Sequence, residues 1–578
     1  MKLTQNILGA CPLLVMFFSD ALAAKNNHCP PLGAVLPAPT SPSSHPAVQS
    51  AVGALKEAIN GITGSFNSTA ISIGVKSLHE TEPLVDLHYT PPQLDSRGAQ
   101  EINASTIYRL ASISKVFLTL AALKTTGISM NDPITKYVPR LRDLQREANG
   151  TRNSLTVVDW DDVTIEALAS HMGGISSDVI DMTGYPADWT QVGLPEARET
   201  LKCAGVNGLT PCTAEDFWNT WGKHDPVFAP FSKPLYSNTA FFIISLAIEA
   251  ASGRSFDDVV QKEILDVAGL TSTSLTKPDD KIGAISVGDL NWNASFGTDD
   301  PAGGYYSSTK DLLAFGEAIL SNKLLSPAQT RRWLKPVTFT SSLGLFIGAP
   351  WEIGRSDNIT SDKRLVEFYS KGGDAGAFHT IIALVPDYDL VVTVMGSGPE
   401  SDGNVIQVLF SQIIQALLGA IETAGKDDAT AAFAGTYLDE ATNSTITLAV
   451  DDEGPGLGIS NWTVRGVDVP SHWAQYFGTG DPVPETYVST RLYPTGLTAG
   501  SKTSWRVGID IGTPEDISQA DALLFWPQGS CISWGTMDRA TYQFKAIDEM
   551  FFSLDQSGAA TSVEFRGFQA TLKKVQSS

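Results

Sequence analysis

The chain has 578 residues, enough for several domains, and 42% of them are hydrophobic whereas only 18% are charged. This balance indicates a folded globular protein and excludes a disordered chain. The 63 acidic residues outnumber the 40 basic residues, so the net charge is −23. Because such a surface repels phosphate groups, we expect no nucleic-acid partner.

The N-terminus has the three parts of a secretory signal. Lys2 gives a basic start, Ile7–Phe18 is an apolar run too short to cross a bilayer, and Ala21-Leu22-Ala23 is a small-residue cleavage pattern. The alternative is a frayed hydrophobic N-terminus, which would not need all three parts. We therefore assign residues 1–23 to a signal peptide and expect the protein to be extracellular.

Cleavage of this signal leaves four cysteines, an even number in an oxidising compartment where thiols pair. Three pairings are possible. A Cys203–Cys212 bond would close a short loop, and a Cys29–Cys531 bond would tie the N-terminal arm to the far end of the chain. The sequence proves neither bond, but the short separation favours the Cys203–Cys212 pair.

Sequons for N-glycosylation also fit a secreted protein. The seven candidate asparagines are Asn67, Asn103, Asn149, Asn293, Asn358, Asn443 and Asn461. The most apolar stretch after the signal, Val405–Ile421, is interrupted by four polar residues, so we interpret it as a core helix and expect no membrane span.

The segment up to residue 423 alternates helical and extended patterns. A Pro- and Ser-rich arm over residues 24–46 precedes a helix whose apolar face runs from Val48 to Ile59. Strand-like runs flank a mostly helical middle, at Ile71–Lys76, Leu84–Tyr89, Leu365–Ser370, Phe378–Val385 and Leu390–Val394. Because these strands come from both ends of the segment, we expect an α/β layered domain over residues 47–423.

The chain changes character after this domain. Residues 424–432 are small and polar, which is typical of a linker. Beyond them, Gly, Pro and Asp clusters separate short strand-like runs at Thr445–Val450, Tyr487–Leu492 and Ser504–Ile509. Residues 433–578 are therefore predicted to form a separate β-rich domain.

A serine and a lysine three residues apart, Ser112 and Lys115, open a helix and lie on one face of it. A lysine desolvated in a cleft has a lowered pKa and can help to take the serine proton, while N–H groups at the helix start face a developing oxyanion. The pattern alone is weak, because Ser274–Lys277 and Ser307–Lys310 repeat it. We interpret the second repeat as a helix entry capped by Ser308.

Two downstream triplets single out Ser112. Tyr236-Ser237-Asn238 precedes the apolar helix Thr239–Ala251, and Lys371-Gly372-Gly373 lies between two predicted strands. A tyrosine beside a lysine can act as general acid or base, and an asparagine can orient the lysine. A glycine-rich strand edge lets a substrate lie against the backbone.

With these triplets the sequence resembles the serine β-lactamase/penicillin-binding-protein family, specifically its class C branch with the related esterases and D-aminopeptidases. Further segments look like family landmarks in family order between residues 48 and 421: Tyr108–Ala111, Leu168–Ile175, Ala302–Leu312 and Val385–Asp387. The resemblance implies a β-lactamase/transpeptidase-like α/β fold, with an antiparallel sheet flanked by helices beside a helical subdomain. The C-terminal domain resembles the lipocalin-like appendage of some members.

Carried over by matching position, the resemblance implies Ser112 as nucleophile, Lys115 and Tyr236 as the proton-transfer pair, and Asn238 as the orienting residue. It implies no cofactor. The eight histidines occur singly, without the spacing of metal ligands, so no metal is expected. His171 invites a triad, but Lys115 and Tyr236 already supply a base, so we favour a structural role for it.

The other side of the expected cleft departs from the family. Lys371, Gly372 and Gly373 would bind and orient the substrate, but β-lactamases commonly have Thr at the middle position, where its hydroxyl helps to hold a substrate carboxylate. Gly372 therefore favours an ester or amide substrate over an antibiotic. The N–H groups of Ser112 and Asp374 would form the oxyanion hole, and the charge of Asp374 would oppose the anion unless it points away or is paired.

The leading hypothesis is a secreted serine hydrolase that acts through an acyl-Ser112 intermediate on a small-molecule ester or amide or a short peptide. An acyltransferase or other tailoring enzyme of secondary metabolism would use the same residues. A catalytically inactive binding protein on the same fold is a third possibility. The oligomeric state is left open.

Overall fold

The computed structural model describes residues 28–147, 153–179, 181–201, 203, 210–451, 453–478, 481–482 and 488–576. The predicted signal peptide and Asn149 lie outside these residues. The other six sequon asparagines are exposed. Both predicted disulfides, Cys203–Cys212 and Cys29–Cys531, are formed.

The elements were numbered in chain order. The described α-helices are α1 Pro46–Thr63, α2 Ser114–Lys124, α3 Leu141–Glu147, α4 Ile165–Ala169, α5 Ala214–Thr220, α6 Thr239–Ser252, α7 Phe256–Val260, α8 Asp266–Ala268, α9 Asp300–Gly303, α10 Thr309–Leu320, α11 Pro327–Trp333, α12 Gly403–Phe433, α13 Trp473–Tyr476, α14 Pro514–Ala522 and α15 Ser533–Thr536. The described strands are β1 Ala70–Ser77, β2 Val85–Tyr89, β3 Ile107–Arg109, β4 Tyr306–Ser308, β5 Thr338–Phe339, β6 Leu345–Ile347, β7 Glu352–Ser356, β8 Val366–Ala375, β9 Phe378–Val385, β10 Leu390–Ser397, β11 Gly435–Asp439, β12 Ser444–Ala449, β13 Leu457–Val464, β14 Val467–Asp468, β15 Val488–Ala499, β16 Lys502–Ile511, β17 Thr541–Tyr542, β18 Lys545–Ala546, β19 Glu549–Leu554, β20 Ala560–Phe565 and β21 Ala570–Lys574.

An open antiparallel sheet of eight strands forms the centre of the N-terminal domain, in the order β2-β1-β10-β9-β8-β7-β6-β5. The early strand β1 pairs along its whole length with the late strand β10, from Ala70 opposite Ser397 to Ser77 opposite Leu390. This pairing confirms the prediction that the sheet takes strands from both ends of the segment.

Helices cover both faces of this sheet. On one face α1 and α12 pack against the alternate residues of β1, β9 and β10, with Ile73, Ile381 and Val392 in their common core. On the other face the intervening residues, among them Ile382 and Val391, pack against α10 and the helical region that contains α2 and α6. The predicted layered α/β domain is confirmed.

Helix α12 corrects the predicted linker. It runs without a break from Gly403 to Phe433, so residues 424–432 are helical. The charged residues 426–428 lie on its more exposed side, while Ala424, Gly425, Ala429 and Phe433 continue its buried face. Gly425 packs beside the N-terminal arm, where an added Cβ would lie 3.5 Å from the carbonyl oxygen of Pro37.

The same helix is long and apolar enough to cross a membrane, with a mean hydropathy of 1.6 over its most apolar window. Half of that window is buried inside the protein. Its apolar residues pack against the sheet, as Leu409, Ile413 and Leu417 show. This packing agrees with the interpretation of Val405–Ile421 as a core helix.

The C-terminal domain is a closed antiparallel barrel. Its strands follow the order β12-β11-β21-β20-β19-β16-β15-β13, and pairing of β13 with β12 closes the ring. Side chains fill the interior, as expected for a barrel of eight strands. Phe433, the last residue of α12, contacts the buried rings of Trp505 and Phe552, at centroid distances of 4.8 and 5.2 Å.

Candidate active site

Ser112 lies in a sharp turn between a short strand and a helix. The turn Ala111–Ile113 joins β3 to the start of α2, and Ala111 adopts a left-handed conformation with φ of 47° that is unusual for a residue with a side chain. The backbone N–H of Leu110 donates to the carbonyl of Tyr305 at 2.9 Å, which fixes the entry to the turn. The turn holds Ser112 partly exposed at the start of a buried helix.

Lys115 lies one turn further along, with its side chain fully buried. Its Nζ donates to Ser112 Oγ at 2.9 Å, to Asn238 Oδ1 at 2.7 Å and to the carbonyl of Ala302 at 3.0 Å. These three bonds use all the hydrogens of an ammonium group. Burial lowers the pKa of Lys115, the phenol of Tyr236 opposes this shift, and the charge of Lys371 adds to it.

Tyr236 completes the contacts of the serine. Its hydroxyl donates to Ser112 Oγ at 2.6 Å, and its ring remains 39% exposed. The centre of the ring lies 4.9 Å from Lys115 Nζ and 5.3 Å from Lys371 Nζ. Burial acts to raise the pKa of the phenol, but the charges of these two lysines outweigh it and lower the pKa below its usual value.

The ring of His171 packs against the ring of Tyr236. The two rings stack with centroids 4.3 Å apart, and His171 Nδ1 accepts a hydrogen bond from the N–H of Ser237 at 3.1 Å. Burial lowers the pKa of His171 well below its usual value, and the charges of Lys115 and Lys371 lower it further. The ring is therefore neutral, and its position agrees with the structural role that the sequence favoured.

Strand β8 forms the opposite side of the cleft and passes directly against the Ser112 turn. An added Cβ on Gly373 would lie 2.1 Å from the carbonyl oxygen of Leu110 and 3.0 Å from the backbone nitrogen of Ser112. The Thr380 hydroxyl donates to the same Leu110 carbonyl at 3.0 Å. Only glycine allows this approach, which explains the glycine at this position of the strand.

Asp374 follows Gly373 and is paired. Its Oδ1 lies 2.7 Å from His379 Nδ1, and its side chain is 67% exposed. An added Cβ on Gly403, the first residue of α12, would lie 3.3 Å from the same oxygen. The carboxylate thus lies against the positive end of a helix and next to a histidine, which answers the objection that its charge would face the oxyanion hole unpaired.

Lys371 is the second buried lysine, with only 2% of its surface exposed. Its Nζ donates to Glu352 Oε1 at 2.5 Å and to the carbonyl of Gly372 at 2.9 Å. Burial acts to lower the pKa of Lys371, but the carboxylate of Glu352 and the phenol of Tyr236 raise it above its usual value. The group is therefore an ammonium in the folded protein.

Two profile matches and several relatives place the chain in a family. A profile described as "Beta-lactamase" matches residues 78–408, which is more than half of the chain, and a profile described as "Beta-lactamase-like-like, C-terminal domain" matches residues 425–576. The chain belongs to the β-lactamase family of hydrolases. The predicted resemblance is thereby confirmed.

Two fungal relatives match this chain over almost its whole length. The "Beta-lactamase-like protein" of Arthroderma benhamiae is 26% identical, covering 96% of this chain and 97% of that protein. The "Probable hydrolase clz13" of Cochliobolus lunatus is 25% identical, covering 97% of this chain and 94% of that protein. Among solved structures, a class C β-lactamase from Rhodobacter sphaeroides is 19% identical with a TM-score of 0.47, covering 64% of this chain and 100% of that one.

The structure brings together every site residue that the sequence singled out. It also adds three carboxylic acids that sequence reasoning missed, Glu352, Asp178 and Asp299. Asp178 Oδ1 accepts from Asn238 Nδ2 at 2.7 Å, so the asparagine links this carboxylate to Lys115. None of the three belongs to a recognisable triplet, although Asp178 and Asp299 lie close to family landmarks in the sequence.

Asp299 is the most perturbed of the three. Burial and, to a smaller extent, the charge of Asp178 raise its pKa to about 7 against the opposing effect of Lys115. Its Oδ1 is buried without a hydrogen-bond partner among the described residues. No group of three or more His, Cys, Asp or Glu side chains within the described ranges could hold a metal ion.

Proposed function

We propose that this protein is a secreted serine hydrolase that cleaves an ester or amide through an acyl-Ser112 intermediate. The observation that carries the proposal is the pair of hydrogen bonds on Ser112 Oγ, from Lys115 Nζ and from Tyr236 Oη. Both groups have lowered pKa values, and whichever of them has lost its proton can accept the proton of the serine at this distance. Relatives named as hydrolases support the same class of reaction.

In the first half of the reaction, Ser112 Oγ attacks the carbonyl carbon and its proton passes to the Lys115–Tyr236 pair, one member of which is deprotonated. The negative charge on the carbonyl oxygen is stabilised by the N–H groups of Ser112 and Asp374. The tetrahedral species collapses when the C–O or C–N bond breaks and the pair returns the proton to the leaving group.

In the second half, water attacks the acyl group on Ser112 and gives its proton to the same pair. Asn238 keeps Lys115 in place through both halves, because its amide bonds Lys115 on one side and Asp178 on the other. The acid is released and Ser112 regains its hydrogen.

Three features support secretion. Residues 1–23 have the pattern of a signal peptide, the chain forms two disulfides, and the described sequon asparagines are exposed. We propose that the protein is an extracellular glycoprotein. Disulfides and glycans would both be compatible with that compartment.

The test is the intact mass of the deglycosylated protein after exposure to a fluorophosphonate, which reacts with activated serines. We expect a single adduct on the wild type and none on Ser112→Ala. Ser274→Ala is the matched control, because Ser274 begins another Ser-x-x-Lys pattern, and it should be labelled like the wild type. A folded wild type that takes no adduct would remove the hydrolase proposal and favour the inactive binding protein.

A further inference from the structure

Two donors of β8, the ammonium group of Lys371 and the backbone N–H of Gly372, are already bound within the protein. One oxygen of Glu352 accepts from Lys371 Nζ at 2.5 Å, and the other accepts from the backbone N–H of Gly372 at 2.9 Å. A carboxylate that bridges an ammonium and a backbone N–H is a strong charge-assisted arrangement. Glu352 therefore binds here as an anionic ligand would.

The strand pattern explains why these donors need a partner. Strand β7 begins at Glu352, which pairs with Ser370, so β8 continues past the start of its neighbour. The N–H of Gly372 lies just beyond this last pair. The side chain of Glu352 extends along the strand and caps the N–H that a longer β7 would have bound.

Because Gly372 has no side chain, nothing on this residue contacts the carboxylate of Glu352 apart from its backbone. An added Cβ on Gly372 would lie 3.5 Å from Glu352 Oε2, so a residue there would contact the carboxylate directly. A hydroxyl at this position would donate to Glu352 before it could reach a substrate. The Gly372 N–H and one hydrogen of the Lys371 ammonium are thus already bound by the glutamate.

The charges around the cleft act in the same direction. Lys371 is neutralised by Glu352, whose own side chain remains 31% exposed towards the solvent. On the serine side, the carboxylate of Asp178 accepts from Asn238, which in turn accepts from Lys115. An anionic group that approached Lys371 would meet the partly exposed carboxylate of Glu352.

We propose that Glu352 determines substrate specificity: its carboxylate occupies the place on Lys371 and Gly372 where an anionic substrate group would bind, so the enzyme selects substrates whose leaving group is neutral or cationic. This inference rests on the proposed acyl-Ser112 chemistry. It goes further by excluding carboxylate-bearing leaving groups and by naming the residue responsible.

The experiment compares two phenylacetate esters that differ only in the leaving group, 3-carbamoylphenol and 3-carboxyphenol. Both rates are divided by the uncatalysed rate of the same ester. For the wild type, kcat/KM should favour the carbamoyl ester by about tenfold or more, the cost of bringing like charges together. In Glu352→Gln the preference should fall by about tenfold, because Lys371 becomes free to bind the carboxylate.

Glu367→Gln is the matched control. Glu367 is a carboxylate of β8 that pairs with Arg355 of β7 at 3.1 Å, on the same two strands but towards their other end. Its loss should leave the ratio of the two esters unchanged. Fluorophosphonate labelling of Ser112, a reaction with a neutral reagent, is measured for each variant to report on the integrity of the catalytic groups.

Wild-type protein that hydrolyses both esters equally would overturn the inference, and this result needs no variant to fold. An unchanged ratio in a folded, labelled Glu352→Gln would overturn it as well. In both cases labelling of Ser112 would leave the proposed function intact. A wild type that is neither labelled nor active would overturn the function and the inference together.

Discussion

Both domains are built on eight antiparallel strands, yet they bury different side chains. The N-terminal domain has Lys115 and Lys371 buried near the part of β8 that extends past the start of β7, whereas rings such as Trp505 and Phe552 fill the closed barrel. Burying a charge costs free energy that an apolar ring does not. The barrel domain also buries charges, but its Arg491 and Asp548 lie in ion pairs with Asp451 and Arg506. Lys115 instead donates to the candidate nucleophile Ser112, so in the N-terminal domain the cost is tied to the candidate site.

The largest effect should follow from removal of the charge at the serine. Lys115→Met keeps the length of the side chain but cannot exchange a proton, so we expect kcat/KM to fall by about 10³-fold. The variant should still fold, because methionine suits a buried site better than an ammonium does. Steady-state kinetics and circular dichroism measure both quantities.

Lys277→Met is the control for this variant, because Lys277 is exposed and ends another Ser-x-x-Lys pattern. It should retain wild-type activity. Full activity of Lys115→Met would contradict a catalytic role for the buried lysine.

A substitution in the core of the barrel should have the opposite effect: it should lower stability and leave the catalytic rate unchanged. Trp505→Ala removes a buried ring that contacts Phe433 and Phe552, so we expect a loss of about 3–5 kcal/mol in the free energy of unfolding of the barrel. The kcat of the folded fraction should stay unchanged. Denaturant unfolding followed with an active-site titration separates the two quantities.

Trp534→Ala provides the comparison, because Trp534 is 88% exposed in the same domain. It should cost little stability. If Trp505→Ala lowered kcat as much as Lys115→Met does, the division between a catalytic domain and a stabilising barrel would be wrong.

Removal of the Tyr236 hydroxyl should lower kcat/KM less than removal of the Lys115 ammonium. Tyr236→Phe removes one of the two contacts on Ser112, and we expect kcat/KM to fall by about 10²-fold. The wild-type rate should rise with pH as one proton leaves the Lys115–Tyr236 pair, whose pKa values are lowered, and the midpoint should move in the variant. Tyr137→Phe removes a hydroxyl that donates to Asp132 and not to the serine, and it should leave the pH profile unchanged.

The last effect concerns the free energy of unfolding and how the buried Asp299 makes it depend on pH. An acid whose pKa is higher in the folded than in the unfolded protein binds more protons when folded, so its contribution to stability is lost as pH rises. For Asp299 this window runs from 3.8, its ordinary value, to about 7. Asp299→Asn should therefore be more stable than the wild type at pH 8, by an amount on the order of a few kcal/mol, and similar to it at pH 4.

Urea unfolding at the two pH values measures this difference. Asp266→Asn, which changes an exposed carboxylate on α8, should show no gain at pH 8. A gain for Asp299→Asn that is equal at both pH values would contradict the assignment of the effect to ionisation.

Much of the fold follows from patterns within short segments. The helix from Val48 to Ile59 and the strands of β1 and β9 were predicted because their apolar residues recur with the period of one element. The linker prediction was wrong because polar composition does not exclude a helix whose other face is buried, as Ala429 and Phe433 show in α12.

The site was predictable to the extent that its residues form triplets. Glu352 follows no pattern, since it acts through contacts with Lys371 and Gly372 that depend on where β7 begins. Asp178 acquires its partner Asn238 from a segment 60 residues away. Such pairings arise only when distant segments meet in the folded protein.

The most direct test of the account is to locate the acyl group during turnover. The wild type is mixed with 3-carbamoylphenyl phenylacetate, quenched in acid at short times and digested, and the phenylacetyl group is mapped by mass spectrometry alongside Ser112→Ala. We expect a phenylacetyl group on Ser112 and no turnover by the variant. Turnover of the ester by Ser112→Ala at the wild-type rate, or an acyl group on another residue, would contradict it.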